Sequence, residues 1–204
     1  TNLIGGQDEL VFDGGSMVID PRGKTLAFGK PFEEDLVIAD VPVKRKKKTS
    51  KAVVLSKAVF HKDSTPLAAQ VAPEGTDLER IYKALVLGTR DYARKNKFRD
   101  CLIGLSGGID SSLVAAIAVA ALGKENVIGV SMSSRFTSAG TRDDARALAG
   151  NLGIKFHEIP IERMFEAYLE QLKEIFGEQP FGRAEENLQA RIRGTILMTL
   201  SNRW

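Results

Sequence analysis

The chain has 204 residues, 43% of them hydrophobic and 27% charged, with a formal net charge of +3. That is the balance of a soluble globular protein, long enough for one good domain or for one small domain plus part of another. The lone Cys101 excludes an internal disulfide and fits a reducing cytoplasm, and neither a membrane-spanning run nor a secretory signal is visible, so no membrane partner is expected.

The chain opens at Thr1 without an initiator Met and is expected to begin inside a longer one. Residues 1–43 read as strands. The runs 16–19 and 25–28 flank the turn signal Asp20-Pro21-Arg22-Gly23, and a third run covers 36–41. So few short strands make no stable sheet alone and belong to a larger β-rich domain. Residues 44–75 read as a linker, with the basic run Lys44-Arg45-Lys46-Lys47-Lys48, Pro66 and Pro73. No aromatic residue interleaves with the lysines, so the run reads as a solvated segment and no nucleic-acid partner is expected.

Residues 76–204 read as a helix followed by strand–helix repeats. Thr76 and Glu79 have capping-box spacing, and Leu78, Ile81, Leu85 and Tyr92 recur at helical spacing. Strands are expected at 101–105, 126–132 and 155–159. Helices are expected at 110–122, 141–152, 160–176 and 184–200, with Gly123, Gly153 and Gly177 as stops. The alternation predicts an α/β fold, a parallel doubly wound sheet with helices on both faces.

The segment Leu105-Ser106-Gly107-Gly108-Ile109-Asp110-Ser111-Ser112 is the informative one. It places a tight glycine turn between an apolar strand and a helix. Backbone N–H groups at a helix N-terminus lack partners and carry partial positive charge, so they hold phosphate. Gly107 and Gly108 allow the backbone to approach an anion closely, and the hydroxyls of Ser106, Ser111 and Ser112 can donate to phosphate oxygens. Asp110 beside a polyphosphate is repulsive unless a cation lies between them, which points to Mg²⁺. No Lys-Ser or Lys-Thr follows the glycines, and the spacing is wrong for a dinucleotide loop, so both of those phosphate-binding motifs are excluded.

The segment resembles the pyrophosphate loop of the ATP pyrophosphatases, which include NAD, GMP and asparagine synthetases and tRNA-thiolating enzymes. The helix residues Glu185-Glu186-Asn187-Leu188-Gln189-Ala190-Arg191-Ile192-Arg193-Gly194-Thr195 narrow the resemblance to NAD synthetases. It implies the following site. Leu105, Ser106, Gly107, Gly108, Ile109, Asp110, Ser111 and Ser112 bind ATP, with Ser131 and Met132 at the adenine edge. Ser106 and Asp110 are the catalytic pair, and Asp110 is the Mg²⁺ ligand. Asn187, Arg191 and Arg193 face deamido-NAD. On a helix the two arginines point to different sides, and ion pairs to Glu185 or Glu186 are the plainer reading of each. Asp143 and Asp144 match a family acidic pair, although helix capping explains them as well.

Residues 5–16 look like the late part of the nitrilase-type glutaminase in glutamine-dependent members. Its Cys, Glu and Lys belong to earlier segments, and Cys101 reads as a buried strand residue, so no glutaminase activity is expected of this stretch. His61 and His157 have no partners at triad or metal spacing. The resemblance implies a glutamine-dependent NAD synthetase with ATP, deamido-NAD and glutamine-derived ammonia as reactants. It further implies a cytoplasmic homo-oligomer, and a further strand beyond Trp204 beside the one at 101–105. The alternatives are another adenylating amidotransferase, for which GMP and asparagine synthetases are the examples, a tRNA-thiolating enzyme, or an inactive nucleotide-binding module.

Overall fold

The computed structural model describes residues 1–41, 67–177 and 180–204. Most of the expected linker, with the basic run 44–48 and His61, lies outside the described residues. The chain forms two compact units, Thr1–Gly5 with Leu10–Ala84, and Gly6–Glu9 with Leu85–Trp204.

The strands near the N-terminus are β1 (Ile4–Gln7), β2 (Leu10–Asp13), β3 (Met17–Ile19) and β4 (Thr25–Phe28). In the first unit β3 and β4 pair antiparallel, with Met17 opposite Phe28 and Val18 opposite Ala27. Asp20 closes their turn. Its carboxylate accepts from the amides of Arg22 (2.7 Å) and Lys24 (2.9 Å), the self-capping that makes Asp a turn residue.

The third expected strand, 36–41, does not form. The position beside β4 is taken by a later segment. Phe28 donates its amide to the Gln70 carbonyl (2.8 Å) and accepts from Ala72 (2.9 Å). Leu36, Ile38 and Val41 therefore stay exposed, at 78%, 57% and 51%. Their β-branched content is a preference that only a free sheet edge can realise.

The first helix, α1 (Asp77–Lys95), begins with the capping box the sequence predicts. The Thr76 amide donates to the Glu79 carboxylate (2.7 Å), and the Glu79 amide donates to Thr76 Oγ1 (3.3 Å).

The second unit carries a three-stranded parallel sheet in the order β5 (Cys101–Gly104), β6 (Val127–Ser131), β7 (Lys155–Glu158). Cys101 lies opposite Val127 in one ladder, and Ile128 opposite Lys155 in the other. Every residue of the central β6 is buried, which accounts for its continuous apolar character.

Side-chain alternation along the strands builds a core on each face. Ile103, Leu105 and Val127 pack with Ala115 and Ala118 of α2 (Ile109–Leu122), and with Ala145 and Ala149 of α3 (Ala139–Leu152). On the other face Val130 and Met132 pack with Phe165 of α4 (Glu162–Phe176) and Ile192 of α5 (Arg183–Arg203). This is the parallel α/β arrangement with helices on both faces that strand–helix alternation predicts.

Helix α2 presents only alanines, Ala115, Ala118 and Ala121, as its buried residues. Alanine is the smallest side chain that still favours helix, so the helix lies close against the sheet. Helix α3 starts two residues before the expected Thr141, because Ser138 caps it and accepts from the Thr141 amide (3.1 Å). Asp143 and Asp144 thereby fall outside the first turn, and the expected capping role gives way. Asp143 instead pairs with Arg146 (3.2 Å). Helix α4 begins at Glu162 rather than Pro160, since the Ile161 amide is committed to the Ser133 carbonyl (2.9 Å).

Candidate functional site

The site grows from the end of β5. Leu105 makes the last bond between the two strand paths, donating its amide to the Val130 carbonyl (2.8 Å). Beyond it the chain leaves the sheet through Ser106 and Gly107 and enters α2 at Gly108, its N-cap. Gly107 has φ +81°, and a Cβ there would lie 2.1 Å from the Thr141 carbonyl oxygen. Glycine is the residue that allows this backbone approach.

No side chain caps α2. The Ser112 amide reaches the Gly108 carbonyl (3.2 Å), while the amides of Ile109, Asp110 and Ser111 have no intrahelical acceptor. The serine hydroxyls are turned inward. Ser111 Oγ and Ser112 Oγ both donate to the Gly108 carbonyl, at 3.0 and 2.9 Å. Ser106 Oγ accepts from the Gly108 amide (3.2 Å) and lies 3.1 Å from Ser111 Oγ. An anion at this turn meets backbone amides first, and the hydroxyls reach it after rotating away from Gly108.

Ser106, Gly108, Ile109 and Asp110 are exposed around the turn. Among the described residues no cluster of three or more His, Cys, Asp or Glu side chains could hold a metal. The Asp110 carboxylate suits a magnesium ion bound mainly through a nucleotide's phosphates, because Mg²⁺ retains waters and takes few protein ligands.

The neighbouring strand supplies a second set of groups. Ser131 and Met132 are buried, 6% and 8% exposed, so only their backbone can meet a ligand at this end of the sheet. Arg193 of α5 reaches the same place, its Nε donating to the Met132 carbonyl (3.1 Å) and its Nη2 to Gln189 Oε1 (3.4 Å). Partial burial pulls the Arg193 guanidinium below its ordinary pKa.

Asn187 and Arg191 lie exposed on α5, and Arg191 lines a cavity of about 1010 Å³ with Leu169, Leu172, Phe181 and Leu188. The two arginines do diverge, as their spacing predicts. Neither forms an ion pair among the described residues. Glu185 is instead committed to the N-terminus of its own helix, accepting from the Gly182 amide (2.7 Å).

Sequence reading missed the Arg193–Met132 bond, because residues 61 positions apart give no local signal. It missed the clamp on Arg135 for the same reason. Arg135 bonds Glu162 through its amide (2.8 Å) and its guanidinium, and Glu166 through Nη2 (2.6 Å). The Arg135 hydrogen bond holds the Glu162 carboxyl below its usual range.

Fold and site together define a class, a parallel α/β domain with a glycine turn and an uncapped helix N-terminus at the carboxyl end of a strand. Residues 81–204 match the NAD synthase family, and residues 1–51 match the carbon-nitrogen hydrolase family. The chain belongs to the NAD synthase family. It is 47% identical over 217 residues to the glutamine-dependent NAD(+) synthetase of Thermotoga maritima, and 45% identical over 216 residues to that of Aquifex aeolicus. Each match covers 100% of this chain and 38% of the relative. The glutamine-dependent NAD+ synthetase of Acinetobacter baumannii, solved with ADP, superposes with a TM-score of 0.80 at 37% identity, over 98% of this chain and 35% of that one. The chain thus spans little more than a third of the length of the relatives it matches.

Proposed function

We propose that this chain supplies the pyrophosphate-binding wall of a cytoplasmic, homo-oligomeric, glutamine-dependent NAD synthetase. The observation that carries the reading is the uncapped start of α2 behind Gly107, with Asp110 on its first turn. The ADP-bound relative agrees with a nucleotide ligand.

In this reading the amides of 109–111 and the hydroxyls of Ser106, Ser111 and Ser112 hold the β- and γ-phosphates of ATP. Leu105 anchors the turn to the sheet, and Ile109 carries the turn into the helix. Backbone at Ser131 and Met132 meets the adenine. Asn187 and Arg191 orient deamido-NAD, and Arg193, the third residue that the resemblance points to, stands between the two subsites on the Met132 carbonyl. The carboxylate of deamido-NAD attacks the α-phosphorus of ATP, the α–β bridging bond breaks, and pyrophosphate leaves. Ammonia from glutamine then attacks the acyl adenylate, losing a proton and expelling AMP, to give the amide of NAD. Asp110 would hold a Mg²⁺ ion, which would supply positive charge to offset that of a departing pyrophosphate. The chain's own contribution is positioning and oriented dipoles, with no covalent enzyme intermediate. The family match of residues 1–51 favours a domain order with the ammonia source ahead of 76–204, and in this reading a linker at 44–75 joins the two.

The test is pyrophosphate release by the full-length protein that carries this chain, with deamido-NAD, XMP or aspartate as acceptor and ammonia or glutamine as donor. Deamido-NAD alone is expected to support release, and Asp110→Asn to abolish it with either donor. Release with XMP or aspartate instead would make the protein another amidotransferase. Near-wild-type release by Asp110→Asn would remove the metal role.

A further inference from the structure

Four successive carbonyls at and just beyond the end of β6 are tied to three different segments. Val130 accepts from the Leu105 amide (2.8 Å), Ser131 from Ile159 (2.9 Å) and Ser133 from Ile161 (2.9 Å). Met132, the one between, accepts from a side chain, Arg193 Nε (3.1 Å).

The reason lies in the topology. Val130 and Met132 are the carbonyls directed toward β5, and β5 departs from the sheet immediately after Leu105 to form the glycine turn. The ladder donor that Met132 would otherwise meet is gone. A buried carbonyl without a donor is costly, and the guanidinium arrives from α5 to replace it.

Arg193 is itself held in place. Gln189, 5% exposed and one turn earlier on α5, accepts from Nη2 (3.4 Å). Ile192 beside it is buried in the same core as Met132. The side chain has no carboxylate partner among the described residues, so its polar contacts serve this junction.

We infer that Arg193 is a positioning residue for the nucleotide, fixing the Met132–Ser133 peptide at the place where the two strands part. The inference rests on the ATP-binding reading above and assigns Arg193 to the adenine side of the site, acting through Met132 rather than on the acceptor substrate. An arginine is required because Nε–H sits partway along the side chain. Lysine carries a methylene group at that point and its ammonium one atom further out.

The experiment uses the full-length protein, with R193K and R193A compared with wild type. The KM for ATP and for deamido-NAD, the ATP-to-GTP preference and the melting temperature are measured for each. Both variants are expected to raise the KM for ATP about fivefold to tenfold, the effect of one hydrogen bond to a fixed carbonyl. The KM for deamido-NAD stays within about twofold and the preference for ATP over GTP narrows. A rise confined to deamido-NAD overturns the inference in favour of direct substrate contact. An unchanged KM for ATP in R193K overturns it as well, as does loss of folding in both variants, which would make the contact purely structural. Wild-type protein that releases no pyrophosphate from ATP with deamido-NAD rejects the underlying reading instead.

Discussion

Gly107 and Thr141 meet backbone to backbone: a methyl group on Gly107 would sit 2.1 Å from the Thr141 carbonyl oxygen. The start of α3 therefore fixes how the turn before α2 is shaped. Gly107→Ala adds both this collision and the strain of a side chain at φ +81°. A left-handed position alone costs about 1–3 kcal/mol. We expect the full-length variant to lose at least about tenfold in pyrophosphate release. Thr141→Ala should not restore it, because the obstructing atom belongs to the main chain. Recovery in the double variant, measured by the same assay, would show that the Thr141 side chain was the obstacle.

Ser138 caps the helix that presses on that turn. Ser138→Ala removes an N-cap acceptor, a loss of about 1 kcal/mol. Ser138→Asp keeps the acceptor and adds a charge favourable at a helix N-terminus. Urea unfolding should rank wild type and Asp together, with Ala below. Equal midpoints for Ser and Ala would show that Thr141 is the effective start.

Glu162 gives the chain an acid-sensitive contact. Its folded pKa lies below the ordinary 4.5 because the Arg135 guanidinium bonds its carboxylate. A depressed carboxyl stabilises the fold above the unfolded pKa and loses that contribution as pH falls through the folded value. Glu162→Gln should therefore melt lower than wild type near neutral pH, with the gap closing below about pH 4.5. Thermal melts from pH 7 to pH 3 check this, and a gap that widens on acidification contradicts it.

Cys101 stands at the start of β5, and burial pushes its thiol above the ordinary value of 9.0. Less thiolate means slower reaction with electrophiles. Native protein should react with a disulfide reagent far more slowly than unfolded protein. Cys101→Ala should keep ammonia-dependent pyrophosphate release at the wild-type level. Fast labelling of the native protein would place Cys101 in an accessible, activated setting.

Much of 76–204 was legible because local rules and tertiary packing agree there. The glycine turn, the Thr76–Glu79 box and the stops at Gly123 and Gly153 all read directly from spacing. Gly153, for instance, ends α3 in the left-handed conformation at φ 66°. The run 36–41 misled because strand preference says nothing about whether an edge is free, and residues 70–72 had taken it. Ser138 was overlooked in favour of Thr141, since both are good caps and the choice depends on where the chain leaves β6. The placement of Arg193 on Met132 depends on two elements meeting in space, and no window of sequence contains both.

The alanines under α2 have a further effect on that turn. Ala115 and Ala118 are 0% and 3% exposed and share a core with Ile103, Leu105 and Val127, and they set the spacing between helix and sheet by the thickness of single methyl groups. The amides proposed to hold phosphate are carried on the same rigid rod, so their height above the strand end is decided several residues away. On the proposed reading, adding volume beneath the rod lifts its tip, and affinity at the mouth becomes a readout of how tightly the floor is laid.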